Sequence, residues 1–461
     1  MGSAENERSE AAKQRELAPE WRRAFAFIEK AVGGRIVRHH RYPRWRPAFD
    51  VDVERDGEII PVHFRGERPQ VGIYPIEHEC RAFQVCEREG VLVPHVYAYC
   101  DDPAGIVMER SPGRANLATA ESEEERTAVL DEFLQNLVRM HAIDPAVLEA
   151  EGFERPTRSD ALAWGDFPRW QADYERSKLG PDPTIAFAIE WLKRNQPRRE
   201  EISFIQGDAG QFIFDKGHLT AVLDLELAHL GDPASDLGAL FVRDLSEPLG
   251  SLPHAVRRYA ELSGRETDPH VVNWHAVRVG ICVPMSTATT LYKPNPDEPV
   301  QYIAWYHVYA RMALEVMALE VGVELEEPRM PEPVSGRQAP AFDALGKLLS
   351  VAKGADDYAD YQVATAARVA EYLRRSECYG PALESDDLDE AAVLLGFRPP
   401  DWRAADAALE QFVSGAPAEK EGEILQYLYR RHQRQLSILE PVLKEFQGVR
   451  VQKLRQGSTH C

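Results

Sequence analysis

The chain has 461 residues, enough for two or three domains with sizeable cores. It carries 54 Lys and Arg against 75 Asp and Glu, a formal net charge of −21. A field of this sign repels polyanions, so the composition argues against a nucleic-acid partner and against an anionic membrane surface. It does not exclude a nucleotide, because local basic residues and a metal ion decide that contact.

The six cysteines are scattered and show no Cys-x-x-Cys spacing. This pattern is typical of free thiols in a reducing compartment rather than of a disulfide or zinc framework. The amino-terminal residues lack the apolar core of a signal peptide, and no apolar run approaches the ~20 residues of a membrane span. We therefore expect a soluble, cytoplasmic protein without a membrane partner.

The first part of the chain predicts a helix and a hairpin. Residues 1–17 are charged and featureless, which favours a disordered arm. Residues 19–32 place apolar side chains at helical spacing and end at a Gly-Gly pair. Apolar and acidic residues alternate over Ala48–Val53, which predicts a strand. Asp56-Gly57 is a strong hairpin turn, and Ile59–Arg65 is the return strand.

A second group of elements follows in chain order. Tyr74–Arg88 has helical periodicity, Tyr97–Tyr99 and Ile106–Glu109 have strand character, and Val129–His141 is an amphipathic helix. The helical region Ala161–Asn195 is rich in aromatic residues, which at this spacing are more typical of a core than of a ligand site. These elements predict a small sheet followed by helices.

Two acidic residues stand at the ends of apolar strands. The triplet Gln206-Gly207-Asp208 follows one strand, while Phe212–Phe214 and Leu219–Leu223 predict a hairpin that returns to Asp224. A carboxylate at the end of a buried strand costs free energy unless it holds a metal or moves a proton. These two aspartates are therefore the candidates for chemistry.

The remaining chain predicts helices without a chemical motif. Trp274–Val323 is helical, and Glu326–Pro340, with four prolines, is a linker. Beyond the linker we expect about four helices, at Phe342–Leu373, Asp386–Leu395, Trp402–Val413 and Glu421–Phe446. They would form an accessory bundle, either docked on the preceding domain or used for self-association as a homo-oligomer.

The stretch that contains Asp208 and Asp224, with its tail Gly231-Asp232-Pro233 and Asp236-Leu237, resembles the catalytic core of the aminoglycoside phosphotransferase-like (APH/choline kinase-type) small-molecule kinases. The resemblance covers roughly residues 20–325. It implies an α+β, bilobal protein-kinase-like fold: a small antiparallel sheet with a helix, a mainly helical second lobe, and an extra C-terminal helical domain. The implied boundaries are 18–110 for the N-lobe, 111–325 for the C-lobe, 326–340 for the linker and 341–461 for the accessory domain.

By this resemblance Asp208 is the catalytic base and Asp224 a Mg²⁺ ligand. The chain departs from the family at Gln206, where the family usually has His. The family's metal-binding Asn would fall on Ile213, which cannot bind a metal. Gln211 is the nearest amide and its oxygen suits Mg²⁺; loss of the second metal ligand is the alternative.

The resemblance also implies supporting residues around the catalytic loop. Asp232 would tie down this loop, and Asp236 would cap a helix. His141, at the end of its helix, is expected to be structural and to bond the catalytic loop rather than to act as an acid or base.

A nucleotide would meet the N-lobe in this family. Arg65 would take the place of the lysine that grips the phosphates, held by Glu79 or, less favoured, Glu77. Solvated strand and helix charges are the alternative interpretation of these residues. Backbone groups around Met108 and Glu109 would meet the adenine.

The family's glycine-rich loop is missing from this chain. The residues between the first two strands, Tyr42–Pro47, contain no glycine. Two interpretations stay open for the Arg44-Trp45-Arg46 motif: the arginines contact phosphates while the tryptophan covers a base, or the motif contacts another part of the chain.

Together these residues predict ATP-dependent phosphorylation of a small-molecule hydroxyl, with ATP and Mg²⁺ as cofactors. A cationic aminoglycoside would suit the acidic surface, and the aromatic, apolar helices suit a hydrophobic alcohol or a hydroxyacyl-CoA as well. The resemblance favours the latter two over an aminoglycoside, because relatives of this type often accompany fatty-acid or sterol catabolism. The alternative is a degenerate kinase that acts as a nucleotide-binding or protein-interaction module. A protein kinase is disfavoured, since no Ala-Pro-Glu segment or long activation loop follows Asp224.

Overall fold

The computed structural model describes residues 18–42, 46–68, 72–157, 159–294 and 299–455. The predicted arm at 1–17 lies outside the described residues, as do Arg44 and Trp45.

The N-lobe is an antiparallel sheet with a helix on each face. Its five strands stand in the order β1-β2-β3-β5-β4. The elements are α1 (Pro19–Val32), β1 (Arg35–Arg41), β2 (Ala48–Arg55), β3 (Glu58–Gly66), α2 (Ile76–Arg88), β4 (Val96–Asp101) and β5 (Ala104–Glu109). The hairpin predicted at Asp56-Gly57 is confirmed: both residues have positive φ, 54° and 87°, as the tight turn requires.

The two faces of the sheet belong to different cores. Phe49 and Val53 of β2 pack with Phe25 of α1 in a small core confined to this lobe. Ile106 and Met108 of β5 point the other way and join α2 in the large core that continues into the second lobe. The α2 face of the sheet is therefore the face turned toward the rest of the protein.

The C-lobe is mainly helical and contains two short antiparallel strand pairs, β6 with β9 and β7 with β8. Its elements are α3 (Glu123–His141), α4 (Pro145–Ala150), α5 (Ser159–Leu162), α6 (Phe167–Ser177), α7 (Pro183–Arg194), β6 (Ser203–Ile205), β7 (Phe212–Asp215), β8 (His218–Val222), β9 (His229–Gly231), α8 (Ala234–Arg243), α9 (Leu252–Ser263), α10 (Pro269–Thr287) and α11 (Pro299–Val321). The predicted bilobal, protein-kinase-like α+β fold is confirmed.

Among the described residues, four α-helices form the C-terminal region: α12 (Ala339–Val351), α13 (Asp357–Leu395), α14 (Trp402–Gly415) and α15 (Glu421–Leu439). The prediction of one helix over Phe342–Leu373 and a break before Asp386 was wrong. The break falls earlier, where the Asp356 side chain accepts a hydrogen bond from the backbone N–H of Ala359 and starts α13. The helix then continues through Pro381, because Leu388 and Ala391 of its far half are buried in the large core.

These helices dock on the C-lobe rather than stand apart from it. The large hydrophobic core runs without interruption from the C-lobe into α13, α14 and α15. Polar contacts cross the same boundary: Thr184 Oγ1 lies 3.0 Å from His432 Nε2, and Glu410 accepts a hydrogen bond from the backbone N–H of Asp182, 2.9 Å away. Two roles were expected for this region, docking on the preceding lobe or self-association. In the structure these helices are docked on the C-lobe.

Within the described part of the chain, none of the helices combines the length and the apolar composition that crossing a lipid bilayer requires.

Candidate active site

The catalytic loop between β6 and β7 is held by one buried carboxylate, Asp236. Its Oδ2 accepts a hydrogen bond from the backbone N–H of Gln206, 2.8 Å away, and its Oδ1 from that of Gly207, 2.9 Å away. His141 Nε2 lies 3.0 Å from the same Oδ2, so the histidine supports the loop through Asp236. Two adjacent amides held by one carboxylate fix the orientation of the residue that follows, Asp208.

This arrangement reverses the expected roles of Asp232 and Asp236. Asp236, predicted to cap a helix, ties down the catalytic loop. Asp232 accepts from the backbone N–H of Ala234 at the start of α8, and it pairs with His275 and Arg199. The reason is position: Asp236 lies one turn inside α8, where its side chain points at the loop, whereas Asp232 precedes the helix.

Gln206 stands where the family usually has histidine, and it anchors the catalytic loop. Its side chain is fully buried, and Nε2 donates to the carbonyl of Leu223, 2.9 Å away. The loop and the strand end that leads to Asp224 are thereby joined. The next residue must be glycine, since Gly207 has φ +88° and a Cβ there would lie 2.5 Å from the carbonyl oxygen of Leu227.

Asp208 faces two donors from different elements. Gln211 Nε2 donates to its Oδ2 at 2.6 Å, and Arg243, at the end of α8, forms an ion pair with the same oxygen. Burial raises the pKa of Asp208, an effect that the guanidinium of Arg243 opposes. Arg243 was not identified from the sequence. Its position seven residues after Asp236 places both on one helix face, which is the signal that could have found it.

Asp224 has backbone φ 56°, a conformation that costs free energy for a non-glycine residue and often marks functional sites. Its Oδ2 accepts from Gln211 Nε2 at 2.7 Å, and its Oδ1 from Arg65 at 2.6 Å. Burial alone would raise the pKa of Asp224, but the guanidinium groups of Arg65, Arg46 and Arg68 outweigh it and hold this pKa below its usual range. Asp224 is therefore ionised, which is the form that binds a cation.

Arg65 links the two sides of the cleft. Its Nε donates to Glu79 Oε2 of α2 at 2.9 Å while its terminal nitrogen contacts Asp224. Glu79 is fully buried and Glu77 is exposed, so the structure brings Glu79 rather than Glu77 to Arg65. Burial raises the pKa of Glu79 to about 7, against the opposing charge of Arg65. A role for this pair in nucleotide binding stays a prediction.

A cluster of charges that the sequence did not reveal surrounds this pair. Glu226, two residues after Asp224, pairs with Arg46 at 2.8 Å and also with Arg68. Arg46 is 3% exposed and donates to the carbonyl of Gly66 as well. Of the two interpretations of Arg46, contact with another part of the chain is thus the one present here. Three arginines converge on carboxylates at a place where phosphates would supply the same charge.

The predicted adenine contact meets backbone groups that are already engaged. The N–H of Glu109 donates to His95 at 2.8 Å and that of Arg110 to Pro61 at 3.1 Å. Met108 pairs with His63 in the sheet. Because β5 is paired on both sides, by β3 and by β4, an adenine would have to meet backbone groups that these pairings leave free.

A magnesium ion fits the donor set only in part. Asp224 and the amide oxygen of Gln211 are the hard oxygen ligands that Mg²⁺ prefers. Gln211 presents Nε2 to both aspartates, so its oxygen would bind a metal only after the amide turns over. Within the described ranges no group of three His, Cys, Asp or Glu side chains could hold a metal ion by itself. Such a site suits Mg²⁺, which usually retains water and substrate phosphate oxygens.

Residues 65–275 match the phosphotransferase enzyme family, APH. The matched range begins at the arginine of the Arg65–Glu79 pair and contains the whole catalytic loop. Over these residues the chain is similar to this phosphotransferase family. The predicted aminoglycoside phosphotransferase-like kinase family is confirmed.

Curated relatives are much longer proteins. A segment is 29% identical over 236 residues to acyl-CoA dehydrogenase family member 10 of Mus musculus, covering 46% of this chain and 21% of that protein. Another is 28% identical over 192 residues to acyl-CoA dehydrogenase family member 11 of Homo sapiens, covering 37% and 24%. The matched part thus spans about a quarter or less of these relatives.

Two solved structures are similar over most of their length. One is a thermostable mutant of aminoglycoside phosphotransferase APH(4)-Ia in complex with ADP and hygromycin B: 14% identity, TM-score 0.47, 64% of this chain and 97% of that one. The other is macrolide 2′-phosphotransferase MphH from Brachybacterium faecium: 19% identity, TM-score 0.43, 58% and 91%.

Proposed function

We propose that this phosphotransferase transfers the γ-phosphoryl group of ATP to a hydroxyl group of a small molecule. One observation carries the proposal: a single amide, that of Gln211, lies within 2.7 Å of both Asp208 and Asp224. The residue placed to act on the acceptor and the residue placed to hold a metal are therefore neighbours. Phosphoryl transfer needs this arrangement, because its catalysis is mainly positioning and charge neutralisation.

Each residue has a distinct role in this scheme. Asp208 orients the acceptor hydroxyl and accepts its proton, a task that its raised pKa favours. Arg65, fixed by Glu79, steadies the phosphates, and Arg46 and Arg68 are close enough to exchange their contact with Glu226 for phosphate oxygens. When bound, Mg²⁺ would neutralise phosphate charge, with Asp224 and Gln211 as its protein ligands.

The acceptor we favour is a hydroxyacyl thioester of coenzyme A or another apolar alcohol. The support is twofold. The helices before the catalytic loop bring Trp164, Trp170 and Tyr174 into this side of the lobe, and the curated relatives are named for acyl-CoA dehydrogenation. An aminoglycoside acceptor has no comparable support in this chain.

The experiment is acceptor-dependent formation of ADP from Mg·ATP with a hydroxyacyl-CoA, a long-chain alcohol and an aminoglycoside. We expect turnover with the thioester, weaker turnover with the alcohol, and none in the Asp208→Asn variant. Turnover with the aminoglycoside alone would overturn the choice of acceptor. Equal turnover in the variant would overturn the role of Asp208.

A second function is favoured by one observation. Both essential aspartates are already neutralised by arginines, Asp208 by Arg243 and Asp224 by Arg65. A degenerate kinase that binds nucleotide, or acts as an interaction module without transfer, would be consistent with such pairs. Nucleotide binding without ADP formation, across all acceptors, would support this second function.

Two further expectations belong to the proposal. Cys80, Cys86, Cys100, Cys282 and Cys378 are free thiols, which supports a reducing, cytoplasmic compartment. Self-association through the C-terminal helices is supported by α12, whose Leu345, Leu348 and Val351 are exposed on one short helix.

A further inference from the structure

A cavity of about 400 Å³ lies beside the catalytic loop and has no role in the site described so far. Three parts of the chain bound it: the start of α2 with Tyr74, residues of the stretches 152–157 and 161–169, and Ala228–Leu230 around β9. Ligand pockets typically have volumes of about 300–1,000 Å³, so this cavity is large enough to hold part of a ligand.

The cavity is one chain segment away from the catalytic loop. Leu227 packs closely on Gly207 of this loop: a Cβ added at Gly207 would lie 2.5 Å from the carbonyl oxygen of Leu227. The next residue, Ala228, lines the cavity. A narrower gap of about 20 Å³, with Glu226 and Leu227 in its wall, shares Tyr74 with the cavity. The cavity therefore lies next to the side of the active site that holds Glu226.

Arginines give the lining its positive charge. Arg169 pairs with Glu154 at 2.6 Å, and Arg155 pairs with Glu149 at 2.5 Å. Arg81 differs from both: among the described residues no carboxylate pairs with it, and its Nε is buried without a hydrogen-bond acceptor. A guanidinium that lines a cavity and has no carboxylate partner can form a charge-assisted hydrogen bond with an anion in that cavity.

The acidic residues of the lining do not cancel this charge. Glu154 is occupied by Arg169. Asp166 accepts from Arg278 at 3.1 Å and from Trp170 Nε1 at 2.9 Å, and neither of those two side chains lines the cavity. Two of the three lining arginines are therefore paired, and Arg81 is the one without an ion pair among the described residues.

His229 adds a vacant hydrogen-bond acceptor. Its Nδ1 donates to the carbonyl of Leu227 at 2.8 Å, so Nε2 carries the lone pair. That nitrogen is buried without a partner among the described residues, and the Asp166 oxygen near it is 3.9 Å away, beyond hydrogen-bond reach. Tyr74, stacked on His78 at 4.1 Å, supplies an apolar wall. The lining thus suits a ligand with an anionic group and an apolar body.

We propose that this cavity binds the non-reacting end of the phosphoryl acceptor, that this end carries phosphate or carboxylate, and that Arg81 selects for it. The inference rests on the proposed function, because it takes the ligand of the cavity to be the acceptor of that reaction.

The kinetic test compares Arg81→Gln with Arg88→Gln. Arg88 lies two turns further along α2, pairs with Glu151 at the surface and does not line the cavity, so it is a matched control. The acceptors are a hydroxyacyl-CoA, the corresponding pantetheine thioester without phosphate groups, and the free hydroxy acid. We expect Arg81→Gln to raise KM for the CoA thioester roughly tenfold, the loss of one charged hydrogen bond.

The same variant should leave KM for ATP and for the uncharged pantetheine thioester unchanged. A matching rise for the free hydroxy acid would identify carboxylate as the anion, whereas a rise confined to the CoA thioester would identify phosphate. An equal rise for the uncharged thioester, or no change with either anionic acceptor, would overturn the proposal. Arg155→Gln, at a half-exposed position, is a second variant with the same expected direction.

A binding measurement separates this inference from the proposed function. Coenzyme A is titrated calorimetrically into wild type, Arg81→Gln and Arg88→Gln with saturating Mg·ADP present, so that the nucleotide cleft is occupied. We expect binding that weakens about tenfold in Arg81→Gln only. Such binding without any phosphoryl transfer would leave the cavity assignment intact and overturn the proposed reaction. Binding that is equal in the two variants would overturn the assignment. Absent binding of coenzyme A would overturn it for a phosphate group, and absent binding of the free hydroxy acid as well would overturn it altogether.

Discussion

The side-chain amide of Gln206 donates a hydrogen bond to the main-chain carbonyl of Leu223, 2.9 Å away. This bond joins the catalytic loop to the strand end that presents Asp224. An amide donor therefore anchors the loop at the position where the family usually has histidine. The departure at this position does not by itself indicate a decayed site.

Asp208→Asn should abolish most turnover. A positioned base typically contributes ~10²–10⁴-fold, and asparagine cannot accept the hydroxyl proton. The measurement is kcat with the best acceptor, alongside the thermal midpoint of unfolding. Asp215→Asn, in the neighbouring hairpin and partly exposed, is the control and should keep wild-type turnover. Wild-type kcat in Asp208→Asn would remove this residue as the base.

Gln211→Ala should raise the Mg²⁺ concentration required for half-maximal activity by about tenfold or more, the usual effect of losing a metal-site partner. The reason is that the amide is shared between Asp208 and Asp224. The measurement is activity against Mg²⁺ at saturating ATP. An unchanged requirement would favour the alternative, in which the second metal ligand is lost.

Asp236→Ala should destabilise the fold by roughly 3–5 kcal/mol, the range for removing one partner of a buried charged contact. Two backbone amides and His141 would lose their acceptor at once. Urea unfolding of the variant and of Asp236→Asn measures the effect, and Asn should restore part of the loss. A cost below ~1 kcal/mol would show that the loop does not depend on this carboxylate.

The stability of the docked C-terminal helices should fall as the pH falls below about 6.5, the ordinary pKa of histidine. His307 and His432 contact each other through their Nδ1 atoms at 2.9 Å across this interface. Burial, with nearby Arg431, lowers the pKa of His307 to about 3, and burial lowers that of His432 as well. The pKa of each histidine is lower in the folded protein than in the unfolded chain. The two histidines therefore contribute their full stabilisation above the unfolded pKa, and this contribution is lost as the pH falls toward the folded pKa.

For His307 the expected slope is about 1.4 kcal/mol per pH unit between roughly pH 6 and pH 3, and His432 adds to it in the same direction. The free energy of unfolding against pH measures it. His432→Phe should flatten the slope, while a change at the exposed His218 should not. A slope that survives His432→Phe in full would show that other groups cause the acid dependence.

Local patterns predicted the parts of the fold that depend on neighbours in sequence. The Asp56-Gly57 hairpin, the 19–32 helix and the strands around Asp224 follow from turn chemistry and periodicity. The continuity of α13 was missed, because the burial of Leu388 by the C-lobe, rather than local propensity, decides that this helix continues. The three-residue strand β9 was not predicted either, since only its pairing with β6 defines it.

The sequence predicted those site residues that belong to a recognisable order of motifs. It did not predict contacts between residues that are far apart in the chain. Asp208, Asp224, Arg65 and Glu79 were named from the sequence, and the structure brings them into one cleft. Arg243 and the partner of Arg46, Glu226, were not. The latter contact joins residues 180 positions apart, and nothing in the local sequence indicates it.

The measurement that tests the central claim most directly is unfolding of wild type and Asp224→Ala with Mg·ATP, with ATP and EDTA, and without ligand. The account predicts a stabilisation of roughly 2.7 kcal/mol at ~100 times the Kd of ATP, dependent on Mg²⁺ and lost in Asp224→Ala but not in Asp215→Ala. A stabilisation that does not depend on Mg²⁺, or that persists in Asp224→Ala, would contradict the role of Asp224 as a metal ligand. No shift in wild type would contradict the assignment as an ATP-dependent phosphotransferase.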